Sequence, residues 1–200
     1  MIRRSTAVTL LSILVVLAVV ARPDRRSSAQ PAVAAESRVF TIASGGLSLE
    51  APEGWTRVQP KSGIVETEFS IPAAAEGAAP GRMTVMGAGG SVQANIDRWY
   101  GQFSQPDGGA TKDRATTKKL QIAGCTVTLV DVAGTYKDAP MGPFAGGKAV
   151  DRPDYRMLAA IVEVPGGGSQ FLKFYGPAAA VEAHADGFRK MVEGMVAAAK

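Results

Sequence analysis

TKKLQIAGCTVTLVDVAGTY, residues 117–136, decides how this chain folds. Apolar and polar residues alternate through Leu120-Gln121-Ile122 and again from Cys125 onward, and a period of two is the mark of a half-buried strand. Ala123-Gly124 separates the two runs, and a small pair ending in glycine suits a tight hairpin turn. Downstream, DYRMLAAIVEV (154–164) and SQFLKFYG (169–176) read as two more strands around Gly166-Gly167-Gly168. VTLVDV (127–132) and MLAAIV (157–162) are apolar on both sides, which predicts a sheet covered on both faces.

Upstream, RVFTIASGGLSLEAP (38–52) predicts two strands around Gly45-Gly46, with Pro52 and Gly54 ending the second and Trp55 anchoring the core at the turn. VETEFSIPA (65–73) and RMTVMGA (82–88) are further strands. Ser91 is a natural helix N-cap, and Val92, Ile96, Trp99, Tyr100 and Phe103 recur on one helical face. Residues 105–115 read as a flexible turn and 137–153 as a long Gly/Pro-rich loop. A closing helix is expected from Ala178 to Ala199, with Pro177 near its start and a stripe of Val181, Ala185, Phe188, Val192, Met195, Val196 and Ala199. Asp186–Lys190 and Arg189–Glu193 are the i,i+4 pairs expected on its outer face. Hairpin turns dominate, so the fold class is α/β (α+β): a mainly antiparallel sheet sandwiched by two or more helices.

The first 29 residues differ from the rest. MIRRST is basic, and AVTLLSILVVLAVVA (7–21) carries no charge, the pattern of a secretory signal peptide. Cleavage sites follow Ala29 or Ala34. Arg22, Asp24, Arg25 and Arg26 lie before both, which leaves an uncleaved N-terminal anchor as the alternative. Residues 30–37 form a spacer, and 38–200 form a single globular domain. The chain is therefore expected to be exported, periplasmic or extracellular, or else membrane-anchored by residues 7–21.

The leader also owns the charge. The 200 residues carry 22 Lys+Arg and 18 Asp+Glu, net +4. Removing the five Arg and one Asp of residues 1–29 leaves 17 of each. A neutral remainder lacks the electrostatic footprint of a nucleic-acid binder. Lys112, Arg114, Lys118 and Lys119 read as a solvated loop and strand start. The single cysteine, Cys125, sits in the strand pattern as a small buried hydrophobe and has no partner for an internal disulfide.

Two glycine-rich stretches imitate nucleotide-binding motifs. GPFAGGKA (142–149) nearly spells a P-loop, but Ala149 replaces the Mg²⁺-binding hydroxyl and Pro153 opposes the helix that should follow. VMGAGGSVQ (85–93) lacks the last glycine of G-x-G-x-x-G. It reads as a strand-to-helix turn capped by Ser91, where an anion can bind without specificity.

No zinc cluster, G-x-S-x-G or H-E-x-x-H motif is present, and the lone His184 reads as a boundary residue of the last helix. No cofactor, metal or catalytic residue is assigned. The 137–153 loop draws the functional reading. Tyr136, Phe144, Lys148, Arg152, Tyr155 and Arg156 would give it aromatic and cationic groups for gripping a partner. The alternative is a mobile loop with Phe144 tucked into the core. Asp131, Asp138, Asp151 and Asp154 leave open a hydrolase or calcium site with carboxylates near the same loop.

Taken in order, APEGW (51–55), a helix after GGS (89–91), GCTVTLVDVAGTY (124–136), the long loop, YRMLAAIVEVP (155–165) and a closing helix resemble the PsbP-like fold over residues 38–200. That group includes the extrinsic photosystem II subunit and many exported bacterial domains. The resemblance implies an accessory or partner-binding module and carries over no site residue. The function expected is an exported, non-enzymatic binding domain for an envelope or secreted protein.

Overall fold

The computed structural model describes residues 37–139 and 149–198. The leader, nearly all of the spacer, and Gly142 to Lys148 of the P-loop imitation lie outside them. In chain order the elements are β1 (Val39–Ile42), β2 (Leu47–Glu50), β3 (Thr56–Val58), β4 (Thr67–Ile71), β5 (Gly81–Ala88), α1 (Val92–Tyr100), β6 (Phe103–Ser104), β7 (Thr116–Ile122), β8 (Cys125–Asp138), β9 (Val150–Glu163), β10 (Ser169–Pro177), α2 (Ala178–Glu193) and β11 (Val196–Ala197).

The main sheet runs β3-β4-β5-β10-β9-β8, and β7 and then β6 share the far edge of β8. Each pairing in it is antiparallel. One face receives α2 and a small sheet β1-β2-β11. There Phe40, Ile42, Leu47 and Leu49 meet Phe69, Ile71, Met83, Phe174 and Phe188 in one buried cluster. The other face receives α1, whose Ile96 and Trp99 lie over Val130, Val132, Met157 and Phe171. The expected α/β sandwich is therefore present, with α2 sharing its layer with the small sheet. Trp55 is buried as expected, 5.3 Å from the Phe174 ring and edge-on to His184 at 6.5 Å. Cys125 is buried, and its burial raises the thiol's pKa, which suits an inert packing residue.

The Ala123-Gly124 turn forms as read, with φ of 52° and 77°. Five expectations are corrected. The first hairpin turns over Ala43 to Gly46, not over Gly45-Gly46 alone, with Ala43 and Ser44 at φ 53°. Phe103 leaves the helical stripe, because the chain exits the helix at Gly101 and Phe103 pairs with Tyr136 on β8. The last helix stops at Gly194, whose N–H returns to the Lys190 carbonyl while the Met195 N–H returns to that of Val192, and Val196–Ala197 then pair with β2. Arg189 pairs with Asp186 and Asp131 rather than with Glu193.

The fifth correction bears on function. Both ends of the 137–153 loop, as far as residues are described, are strand. β8 continues to Asp138, and β9 starts at Val150. Pro153 is tolerated because β10 reaches only Tyr155, so the first residues of β9 have one neighbour and Pro153 needs no N–H for a second. A bulge between Gly134 and Tyr136, with Asp154 at φ 55° opposite, absorbs the irregularity. Gly134 sits at φ 148°, and a Cβ there would lie 2.6 Å from the Ser104 carbonyl oxygen. Gly134→Ala is expected to cost about 2 kcal/mol or more, read as a lower urea midpoint, because both the backbone angle and the β6 contact must yield. A midpoint equal to wild type would show that the bulge accepts a side chain.

Candidate functional site

Side chains alternate along β10, so Phe171, Lys173 and Tyr175 face α1 while Leu172 and Phe174 face α2. α1 covers Phe171 but stops short of the rest. Register then sets the neighbours. Glu68, Thr84 and Lys173 lie in one row across β4, β5 and β10, and Arg82 sits beside Tyr175 in the next. Tyr155 and Tyr136 follow on β9 and β8.

The result is a belt of aromatic and charged groups. Tyr136 and Tyr155 stack at 6.0 Å and 5° between planes, and Tyr136 meets Tyr175 at 5.3 Å and Phe103 at 5.1 Å. The Lys173 ammonium lies 4.8 Å from the Tyr175 ring centre and 5.1 Å from that of Tyr136, and donates to Gln102 Oε1 at 2.7 Å. Arg82 grips Glu68 with two bonds of 2.8 Å and donates to the Tyr175 hydroxyl at 2.6 Å. Arg152, exposed on β9 opposite Tyr136, donates to Asp138 at 3.3 Å. Arg98 on α1 donates to Asn95, whose amide ties the Gly89 and Ser91 carbonyls to the helix start.

The electrostatics follow from burial. Desolvation drives the Lys173 pKa down to about 7, with Arg82 and Arg98 adding repulsion and Asp138 opposing it. Desolvation raises the Tyr136 and Tyr175 hydroxyls, so both stay protonated donors. The Arg82 hydrogen bond lowers the Glu68 carboxyl against the pull of burial, and the same bond raises Arg82. Strongly perturbed groups gathered in one place mark a candidate site.

Of the six residues singled out from sequence, the structure brings Tyr136, Arg152 and Tyr155 together. Arg156 goes to the opposite face, where it binds Asp131 with bonds of 2.9 and 2.7 Å and also reaches Glu182 on α2. Phe144 and Lys148 lie outside the described residues. Sequence reading missed Glu68, Arg82, Gln102, Lys173 and Tyr175. One signal was available: Lys173 is the only charge in the otherwise apolar and aromatic run FLKFY. Among the four aspartates, Asp131 and Asp138 are held by arginines, and Asp151 and Asp154 are exposed on β9. Among the described residues, no three His, Cys, Asp or Glu gather to hold a metal, and no helix is long and apolar enough to cross a membrane.

No protein-family model matches the chain, and no curated protein matches it. Solved structures do. The chain is similar to cyanobacterial PsbP from Synechocystis, with a TM-score of 0.48 and 12% identity over 86% of this chain and 98% of that one. It is similar to LpqN of Mycobacterium tuberculosis, described as involved in cell envelope biogenesis, with a TM-score of 0.46 and 12% identity over 80% of this chain and 90% of that one. It is also similar to PA94, a protein of unknown function from Pseudomonas aeruginosa, with a TM-score of 0.45 and 12% identity over 82% of this chain and 99% of that one. The likeness concerns the fold and gives the belt no role.

Proposed function

We propose that this chain is an exported, non-enzymatic accessory domain that binds an envelope or secreted protein through the tyrosine–lysine–arginine belt. The observation that carries the reading is the stacked Tyr136–Tyr155 pair beside the exposed Arg152, beyond the end of α1. Tyrosine and arginine are the usual anchors of protein interfaces. Arg82, Arg98, Arg152 and Lys173 outnumber Glu68 and Asp138 there, so the fitting partner presents an acidic segment. Phe144 and Lys148 stay in the proposed contact set by residue type alone, while Arg156, fixed to Asp131 on the other face, leaves it. The basic, then apolar, start of the sequence supports export of the 38–200 domain.

The test is a pull-down of C-terminally tagged full-length protein from its native envelope fraction, beside a Tyr155→Ala/Arg152→Glu variant. The expected result is a stoichiometric protein partner with wild type, lost with the variant, and a mature N-terminus at residue 30 or 35. A chain that comes down alone, or a partner retained by the variant, would sink the reading.

A further inference from the structure

A groove of about 520 Å³ opens on the same face as the belt but at the other end of α1. Val92, Gln93, Ile96 and Tyr100 of the helix form one wall, and Thr117 and Lys119 of β7 form the other. Thr128, Glu163 and Ser169 line the space between. The size is that of a small-molecule pocket, and hydroxyls and charges dominate the lining.

Two independent observations point to a ligand. Thr128 is 2% exposed, yet its Oγ1 has no hydrogen-bond partner. Buried hydroxyls are nearly always satisfied, so an orphan in the lining of a groove calls for an occupant. The second is the start of α1. Ser91 Oγ accepts from the Ala94 N–H at 3.2 Å, and the Asn95 N–H returns to the Ser91 carbonyl. The N–H groups of Val92 and Gln93 remain for a guest, and a helix N-terminus favours a negative one. Lys119 lies directly opposite Thr128 in the β7–β8 register, so a cation stands beside the orphan hydroxyl. An anion alone does not explain Glu163, a carboxylate in the same lining. It sits opposite Ser169 on β10 and Thr126 on β8. Among the described residues neither Lys119 nor Glu163 forms an ion pair with another side chain.

We propose that this groove binds a small zwitterionic amino-carboxylate, of amino-acid to short-peptide size. Its carboxylate lies at the first turn of α1 and Lys119, and its ammonium lies at Glu163. Thr128 completes its bonding by donating to the ligand carboxylate. Burial raises the Tyr100 pKa, so this hydroxyl in the wall stays a protonated donor. The site is separate from the belt and stands without it.

The test uses the full-length ¹⁵N-labelled chain, titrated with glycylglycine and with the common amino acids one at a time, and separately with acetate and methylammonium. The expected result is saturable movement of the Val92, Gln93 and Thr128 amide signals by at least one zwitterion, with a Kd below about 1 mM. Acetate moves the same signals only weakly. Lys119→Ala weakens zwitterion binding about tenfold, and Glu163→Gln does the same while leaving the acetate response unchanged. Thr128→Val keeps the fold, since its hydroxyl has no partner to lose, and also weakens binding. The proposal is overturned by the absence of any saturable shift up to about 10 mM, by acetate binding as tightly as every zwitterion, or by Thr128→Val binding like wild type.

Discussion

Lys173→Met is expected to raise stability at pH 6 and to remove most of the chain's pH dependence between pH 7 and 10. In the folded protein the Lys173 pKa is about 7, chiefly because burial penalises its charge, whereas an exposed lysine titrates near 10.5. Between those values the unfolded chain holds the proton more tightly than the folded one. Stability therefore rises with pH across that window. Below pH 7 both states are protonated, and the full cost of burying the charge is present. Above 10.5 it is gone. A shift of this size corresponds to on the order of 5 kcal/mol across the window. Methionine keeps the length of the side chain and removes the charge, at the expense of the Gln102 hydrogen bond, worth about 1 kcal/mol. The tyrosines impose the opposite slope at higher pH. Their raised pKa values make the folded state the better proton holder above pH 10, so stability falls there. Wild type should thus be most stable near pH 10, and Lys173→Met should lose the rising limb but keep the falling one. Urea midpoints at several pH values read this directly. A wild-type profile parallel to that of the variant would show that Lys173 titrates as an ordinary lysine.

The belt illustrates what the sequence does and does not disclose. Local rules suffice for the hairpin of residues 117–136, because the period of two, the Ala123-Gly124 turn and the β-branched residues agree. They suffice for α1, where Ser91 caps a run with the right spacing. They fail where a neighbour decides. Pro153 ends a strand only if a second strand needs its N–H, and whether β10 reaches that far is written at Pro177, where that strand gives way to α2, not near Pro153. Gly194 ends α2, but the return of Val196–Ala197 to β2 depends on a strand almost 150 residues earlier. The belt is the extreme case. Glu68, Arg82, Tyr136, Tyr155 and Lys173 come from five strands, and pairing register alone places them together. Tyr136, Arg152 and Tyr155 were found because they crowd one stretch of sequence. Arg156 was grouped with them for the same reason, and the alternation of β9 sends it to the other face.

Arg82→Met is expected to cost about 3–5 kcal/mol, among the largest effects of any single substitution here. The Glu68 side chain is 4% exposed and that of Arg82 is 36% exposed. The loss is unequal: a methionine is at home at the rim, while Glu68 is left as a buried carboxylate without its two 2.8 Å bonds. Glu68 then responds by holding a proton. Its folded pKa moves from below the ordinary value to above it, so the variant loses stability as pH rises through the neutral range and loses less near pH 4. Glu68→Gln in the same background should recover part of the loss, and Glu68→Leu/Arg82→Met should approach wild type, since replacing both members of a buried pair is often neutral. Lys173 gives a second readout. Arg82 is one of the charges that hold its pKa down, and Glu68 lies two strands away in the same row. Without Arg82 the lysine should retain its proton to higher pH and move toward the free carboxylate. The effects of Arg82→Met and Lys173→Met should therefore fail to add: in the double variant Glu68 has no cation left in its row, and the loss at pH 7 should exceed the sum of the two single effects. Strict additivity in urea midpoints would mean that the ion pair and the lysine, though adjacent on the sheet, do not share one electrostatic environment.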